Sequence, residues 1–177
     1  LSRGLGDVYK RQSQDNRRKS GTTIACCLWC KPKLYLAHVG DSRIYLFRND
    51  KLTRLTTDHS EVERMIKMGL ITPEEAVQHP KKHIISQYLG ISSTDIQLDP
   101  CIVELSDFQN NDILLLCSDG LTDMLDDNIL QQIFTKAESV QQATNLLVKY
   151  ALKAGGHDNV TVLCLRYRTK KLAGQKN

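Results

Sequence analysis

A chain of 177 residues with 41% hydrophobic and 25% charged residues suits one globular domain with a substantial core. The net charge of +4 gathers largely in two tails, at Arg17, Arg18 and Lys19 and at Arg166, Arg168, Lys170 and Lys171, where the single aromatic Tyr167 makes no base-stacking platform. Composition therefore argues against a nucleic-acid partner, and no apolar run approaches the ~20 residues of a membrane span.

Arg3, Lys10 and Arg11 precede no apolar stretch of the kind a secretory leader carries. The six cysteines are Cys26, Cys27, Cys30, Cys101, Cys117 and Cys164. Cys27 and Cys30 make a C-x-x-C, but no second pair at zinc-site spacing follows it. Cys26, Leu28 and Cys30 share one face of a strand, while Cys117 and Cys164 lie inside apolar runs. The expectation is a set of small buried thiols in a reducing compartment, and hence a cytoplasmic location.

Residues 1–20, LSRGLGDVYKRQSQDNRRKS, show neither helical nor strand periodicity, and the first twelve look like a translated cloning adapter. They are expected to be a non-native or disordered segment, with the true upstream sequence lost. From Gly21 the pattern changes. Thr22–Cys30 and Leu34–Val39 flank the turn Lys31-Pro32-Lys33 as a hairpin. Arg43–Phe47 and Leu52–Thr56 follow around Arg48-Asn49-Asp50, and connections this short predict an antiparallel meander of four strands.

Ser60 with Glu63 reads as a helix start and Gly69 as its stop; Thr72, Pro73 and Glu75 open a second short helix. Residues 60–95 are predicted to be an insertion beside the sheet, of a kind that often contacts ligands. A strand over Ile96–Leu105 is confined by Pro100 to an edge or a bend. Ile113–Cys117 is a buried strand, Asp127–Lys136 an amphipathic helix, and Ser139–Gly155 a second one. Val160–Tyr167 reads as a central strand, and residues 168–177 as a polar tail.

Three aspartates stand at tips of apolar strands: Asp41 after Leu34–Gly40, Asp119 after Ile113–Ser118, and Asp158 before Val160–Tyr167. In an antiparallel sheet the start of one strand lies beside the ends of its neighbours, so one edge can collect all three. Clustered carboxylates repel unless a cation is present, and an all-oxygen site suits the hard ions Mg²⁺ or Mn²⁺. Spacing alone leaves the alternative standing, namely three separate aspartates each making a turn.

Five ordered motifs carry a family resemblance: Gly21-Thr22-Thr23, Val39-Gly40-Asp41-Ser42-Arg43, Thr57-Asp58-His59-Ser60, Ser118-Asp119-Gly120-Leu121 and Asp158-Asn159-Val160-Thr161. Residues 20–167 resemble the metal-dependent protein serine/threonine phosphatases, the PPM or type 2C family, and residues 60–95 look like the flap of its bacterial members. The resemblance implies an α+β fold in which an antiparallel β-sandwich has helices on both outer faces. It implies hydrolysis of phosphoserine and phosphothreonine by a metal-activated water, at a centre of two Mn²⁺ or Mg²⁺ ions. Asp119 and Asp158 would be ligands there, with Asp41 sharing a third ion with Asp119. Phosphoproteins would be the substrates, a serine/threonine kinase the counterpart, and the molecule a monomer.

The sequence departs from that pattern in residues 1–20. The family's early acidic residue, phosphate-binding arginine, general acid and Asp-Gly-x-Gly-Gly loop have no match there, so an incomplete active site is expected. A catalytically inactive, phosphoprotein-binding relative is the alternative. Among the histidines, His59 is expected to shape the turn into the flap and His157, beside Asp158, to be a loop residue to which the resemblance gives no fixed role, while His38, His79 and His83 have no chemical case from spacing.

Overall fold

The computed structural model describes residues 20–30, 33–91 and 97–169. The expectations for residues 1–19 and for the end of the tail lie outside this range, as does the start of the strand placed at Ile96. In chain order the elements are β1 (Ile24–Cys30), β2 (Lys33–Val39), β3 (Arg43–Arg48), β4 (Lys51–Arg54), α1 (Glu61–Lys67), α2 (Pro73–Val77), β5 (Cys101–Leu105), β6 (Ile113–Cys117), α3 (Asp119–Thr122), α4 (Asp127–Lys136), α5 (Val140–Lys153) and β7 (Val162–Arg166). They build an α+β fold of two antiparallel sheets, ordered β1-β2-β5 and β4-β3-β6-β7.

Strand β6 explains the sandwich. All five of its residues are buried. Leu114 and Leu116 join Leu34, Leu36 and Ile44 between the two sheets, while Ile113, Leu115 and Cys117 face Leu130, Ile133, Phe134 and Leu147 of α4 and α5. Alternate side chains leave a strand on opposite faces, so a strand covered on both sides becomes an unbroken apolar run.

The predicted four-stranded meander is corrected. It splits at Gly40-Asp41-Ser42 into two hairpins, β1–β2 in one sheet and β3–β4 in the other. Gly40 makes the step possible: it adopts φ +110, and a Cβ there would lie 2.3 Å from Thr23 Cγ2. The strand read as central, β7, pairs with β6 alone among the described residues, and Leu165 is 39% exposed. Alternation of apolar residues reports burial on two faces, not the number of paired neighbours. The face shared by Cys26, Leu28 and Cys30 is also corrected: both cysteines are exposed, on the outer face of the three-stranded sheet. Cys117 is buried, and all six cysteines are free.

Charged clamps fix the hairpins. Arg43 donates to the Asp58 carboxylate at 2.8 Å, and Arg54 pairs with the same group. Arg48 donates to the buried Asp112 at 2.6 and 2.9 Å. In residues 60–91, Ser60 caps α1 by accepting the Glu63 N–H, and Thr72 and Glu75 cap α2 reciprocally. Within this segment Ile85 bridges back to Ser60, and Leu89 bridges to Thr22 of the body. None of the described helices is long and apolar enough to cross a membrane.

Candidate functional site

Strand β6 ends at Cys117, and the next residue, Ser118, is the N-cap of α3, a single helical turn absent from the sequence reading. Ser118 does not cap that turn with its side chain. Its hydroxyl instead donates to the Asn159 carbonyl (3.0 Å) and accepts the Thr161 N–H (3.0 Å), and its backbone N–H reaches the Thr161 carbonyl (3.1 Å). These bonds hold the loop that carries Asp158 against the end of β6. Gly120 permits the closeness, since a Cβ there would stand 2.5 Å from the Asn159 oxygen. Ser118 and Gly120 thus flank Asp119 and set the position of Asp158.

Asp119 lies first in α3, half-buried, with a carboxylate oxygen accepting the Gly120 N–H at 2.8 Å. Burial raises its carboxyl above the ordinary range, and the charges of Asp123 and Asp158 add to the rise; the Gly120 N–H and His83 oppose it. Asp41, on the step between the sheets, is pushed up to about 6 by burial first and then by Asp119, with Asp58 and Asp123 contributing. Asp119 therefore has Asp158 and Asp41 within electrostatic reach.

Two further groups escaped sequence reasoning. Asp123 follows Asp119 by one helical turn, its N–H donating to the Asp119 carbonyl at 2.8 Å, so both carboxylates emerge on one side of the turn. The i, i+4 spacing was the available signal, but it is visible only once Ser118-Asp119-Gly120 is known to begin a helix. His83 of the 60–91 segment brings Nδ1 to 3.5 Å from Asp123 Oδ2, which places that segment at the rim of the acidic group. His59 and His38 lie behind the β2–β3 turn with ring centroids 4.8 Å apart. His79 accepts the Lys81 N–H, and His157 is exposed.

The donors are all carboxylate oxygens, and their mutual repulsion is what a divalent cation relieves, so the chemistry fits Mn²⁺ or Mg²⁺. Among the described residues no three His, Cys, Asp or Glu side chains close into a metal-holding group.

Known proteins share this fold. The family profile Protein phosphatase 2C matches residues 2–69. Protein phosphatase PhpP of Streptococcus pneumoniae is 42% identical over 155 residues, covering 88% of this chain and 61% of that protein. The solved serine/threonine phosphatase of S. agalactiae superposes with a TM-score of 0.78 at 35% identity, over 88% of this chain and 63% of that one. The catalytic domain of serine threonine protein phosphatase PstP in complex with two manganese ions superposes with a TM-score of 0.68 at 36% identity, over 81% and 57%. The chain belongs to the protein phosphatase 2C family of metal-dependent protein serine/threonine phosphatases, in its bacterial form. It spans about 60% of the length of PhpP and of the Listeria serine/threonine phosphatases stp that it matches.

Proposed function

We propose that the protein hydrolyses phosphoserine and phosphothreonine in protein substrates, with Asp119 and Asp158 holding a centre of two Mn²⁺ or Mg²⁺ ions and Asp41 sharing a third ion with Asp119. The observation that carries this reading is Asp119 just past the tip of β6, beside the Asp158 loop that Ser118 holds against that tip, and in the field of Asp158 and of Asp41 from the step between the sheets. PstP, a relative over most of this chain, was solved with two manganese ions, which supports the same metals here.

When bound, the ions supply a water of lowered pKa and neutralise the oxygens of the transferred phosphoryl group. The chain's own residues do the positioning. Ser118 and Gly120 keep the Asp158 loop closed on α3, and Gly40 sets the direction of Asp41. His83 brings the flap to the rim of the acidic group through its approach to Asp123. Phosphoproteins are the proposed partners, with a serine/threonine kinase as the opposing enzyme; the molecule acts as a monomer in the cytoplasm.

The incomplete ligand set among the described residues favours one second reading, a phosphoprotein-binding relative without turnover. The test is release of phosphate from a phosphothreonine peptide by the full-length protein. Turnover is expected only with Mn²⁺ or Mg²⁺, and Asp119→Asn is expected to abolish it. Metal-independent turnover, or a fully active Asp119→Asn protein, sinks the phosphatase reading; peptide binding without turnover establishes the second one.

A further inference from the structure

His59 is hydrogen-bonded to two separate parts of the molecule. Toward the β2–β3 step, its backbone N–H donates to the Gly40 carbonyl (2.7 Å) and its Nδ1 accepts the Gly40 N–H (3.2 Å). One residue thus engages both backbone groups of the glycine that precedes Asp41. Toward the flap, the His59 carbonyl accepts the Ser86 N–H (2.8 Å). The contact continues along the chain, with Ser60 bridged to Ile85 and the Glu61 N–H donating to the Ile84 carbonyl (2.8 Å).

The surroundings make this a rigid link. Asp58 is clamped by Arg43 and Arg54, so the segment cannot turn alone. The His59 ring lies against that of His38, which is wholly buried. On the far side of the link, Gly40 sits at φ +110, and the direction of the Asp41 side chain follows from that backbone. A displacement of residues 84–86 therefore reaches Asp41 through a single side chain and two backbone groups.

We infer that His59 is a positioning residue that couples the flap to Asp41, so that the placement of the flap and the approach of Asp41 to Asp119 are one movement. A turn-forming role alone would need only the backbone bond; the second bond, from Gly40 to the ring nitrogen, adds the coupling. What Asp41 does once placed rests on the phosphatase reading, but the coupling itself does not.

The test is amide hydrogen exchange on the full-length protein carrying His59→Ala or His59→Asn. Asparagine can offer Oδ1 where the ring offered Nδ1. In His59→Ala the Gly40 and Ser86 amides are both expected to exchange about tenfold faster, while a core amide such as Leu115 is unchanged. His59→Asn is expected to keep both protected. Should His59→Ala not fold, His59→Phe keeps a ring against His38 without an acceptor and is expected to behave as the alanine form would. Faster exchange at Gly40 with Ser86 untouched overturns the coupling, and so does an asparagine form as labile as the alanine one. In the phosphatase assay, the Mn²⁺ concentration for half-activation is expected to rise about tenfold in the alanine form and to be restored in the asparagine form, with turnover at saturating Mn²⁺ little changed. If no form turns over while the exchange pattern holds, the phosphatase reading fails and the coupling stands.

Discussion

His38 shows how one buried side chain sets a pH dependence for the whole fold. It lies wholly buried on the inner face of β2, and burial, followed by the charge of His59, lowers its pKa to about 4. An unfolded histidine titrates near 6.5. Between these values the unfolded chain takes up a proton that the folded chain refuses. The contribution is therefore fully present above pH 6.5 and is lost as pH falls toward 4. Urea unfolding should show a loss of about 1 kcal/mol between pH 7.5 and pH 5.5 from this group. His38→Leu should flatten that slope; an unchanged slope would assign the acid sensitivity elsewhere. Nothing in the sequence marks His38, because what lies against its buried ring is His59, from the far side of the β3–β4 hairpin. The three aspartates were easier to find. Each follows or precedes an apolar run, so its place at a strand tip could be read directly. Ser118 was not legible as a positioning residue, since the residues its hydroxyl binds lie 41 and 43 positions away.

Among the elements, α3 and the Asp158 loop must touch for the acidic group to form. Their contact runs through Gly120, where an added methyl would meet the Asn159 carbonyl oxygen at 2.5 Å. Gly120→Ala is expected to push the 158–161 loop outward and to raise the Mn²⁺ concentration needed for half-activation about tenfold, the effect of losing roughly 1.4 kcal/mol of binding. Because α3 and the loop lie beyond the ends of the buried strands, melting should shift by only a few degrees. Unaltered Mn²⁺ dependence would show that the loop does not set Asp158. The longer helices were legible for a simple reason. Leu130, Ile133 and Phe134 of α4, and Ala143, Leu147 and Ala151 of α5, recur at helical spacing and are all buried against the four-stranded sheet. A single turn such as α3 has no period to detect.

At the scale of the molecule, repulsion among Asp41, Asp119, Asp123 and Asp158 works against the folded state until a cation neutralises it. Metal that binds only the folded chain should therefore stabilise it. At about 100 times its dissociation constant, Mn²⁺ should add about 2.7 kcal/mol, and thermal unfolding with and without the ion reads this out. Asp119→Asn should remove most of that gain. A melting temperature indifferent to Mn²⁺ would mean that the acidic group holds no ion.

What the sequence determined by itself was local and periodic: the hairpins, the caps at Ser60, Thr72 and Ser139, the two long amphipathic helices, and the strand tips at which Asp41, Asp119 and Asp158 stand. Hydrogen bonds within a turn and the periods of strand and helix are written in neighbouring residues. Only the tertiary structure decided that the first two hairpins part into separate sheets at Gly40, that β7 pairs with β6 alone among the described residues, and that Asp123 and His83 join the acidic group. Those outcomes depend on which distant backbone comes to lie alongside, and steric fit at Gly40 and Gly120 selects it.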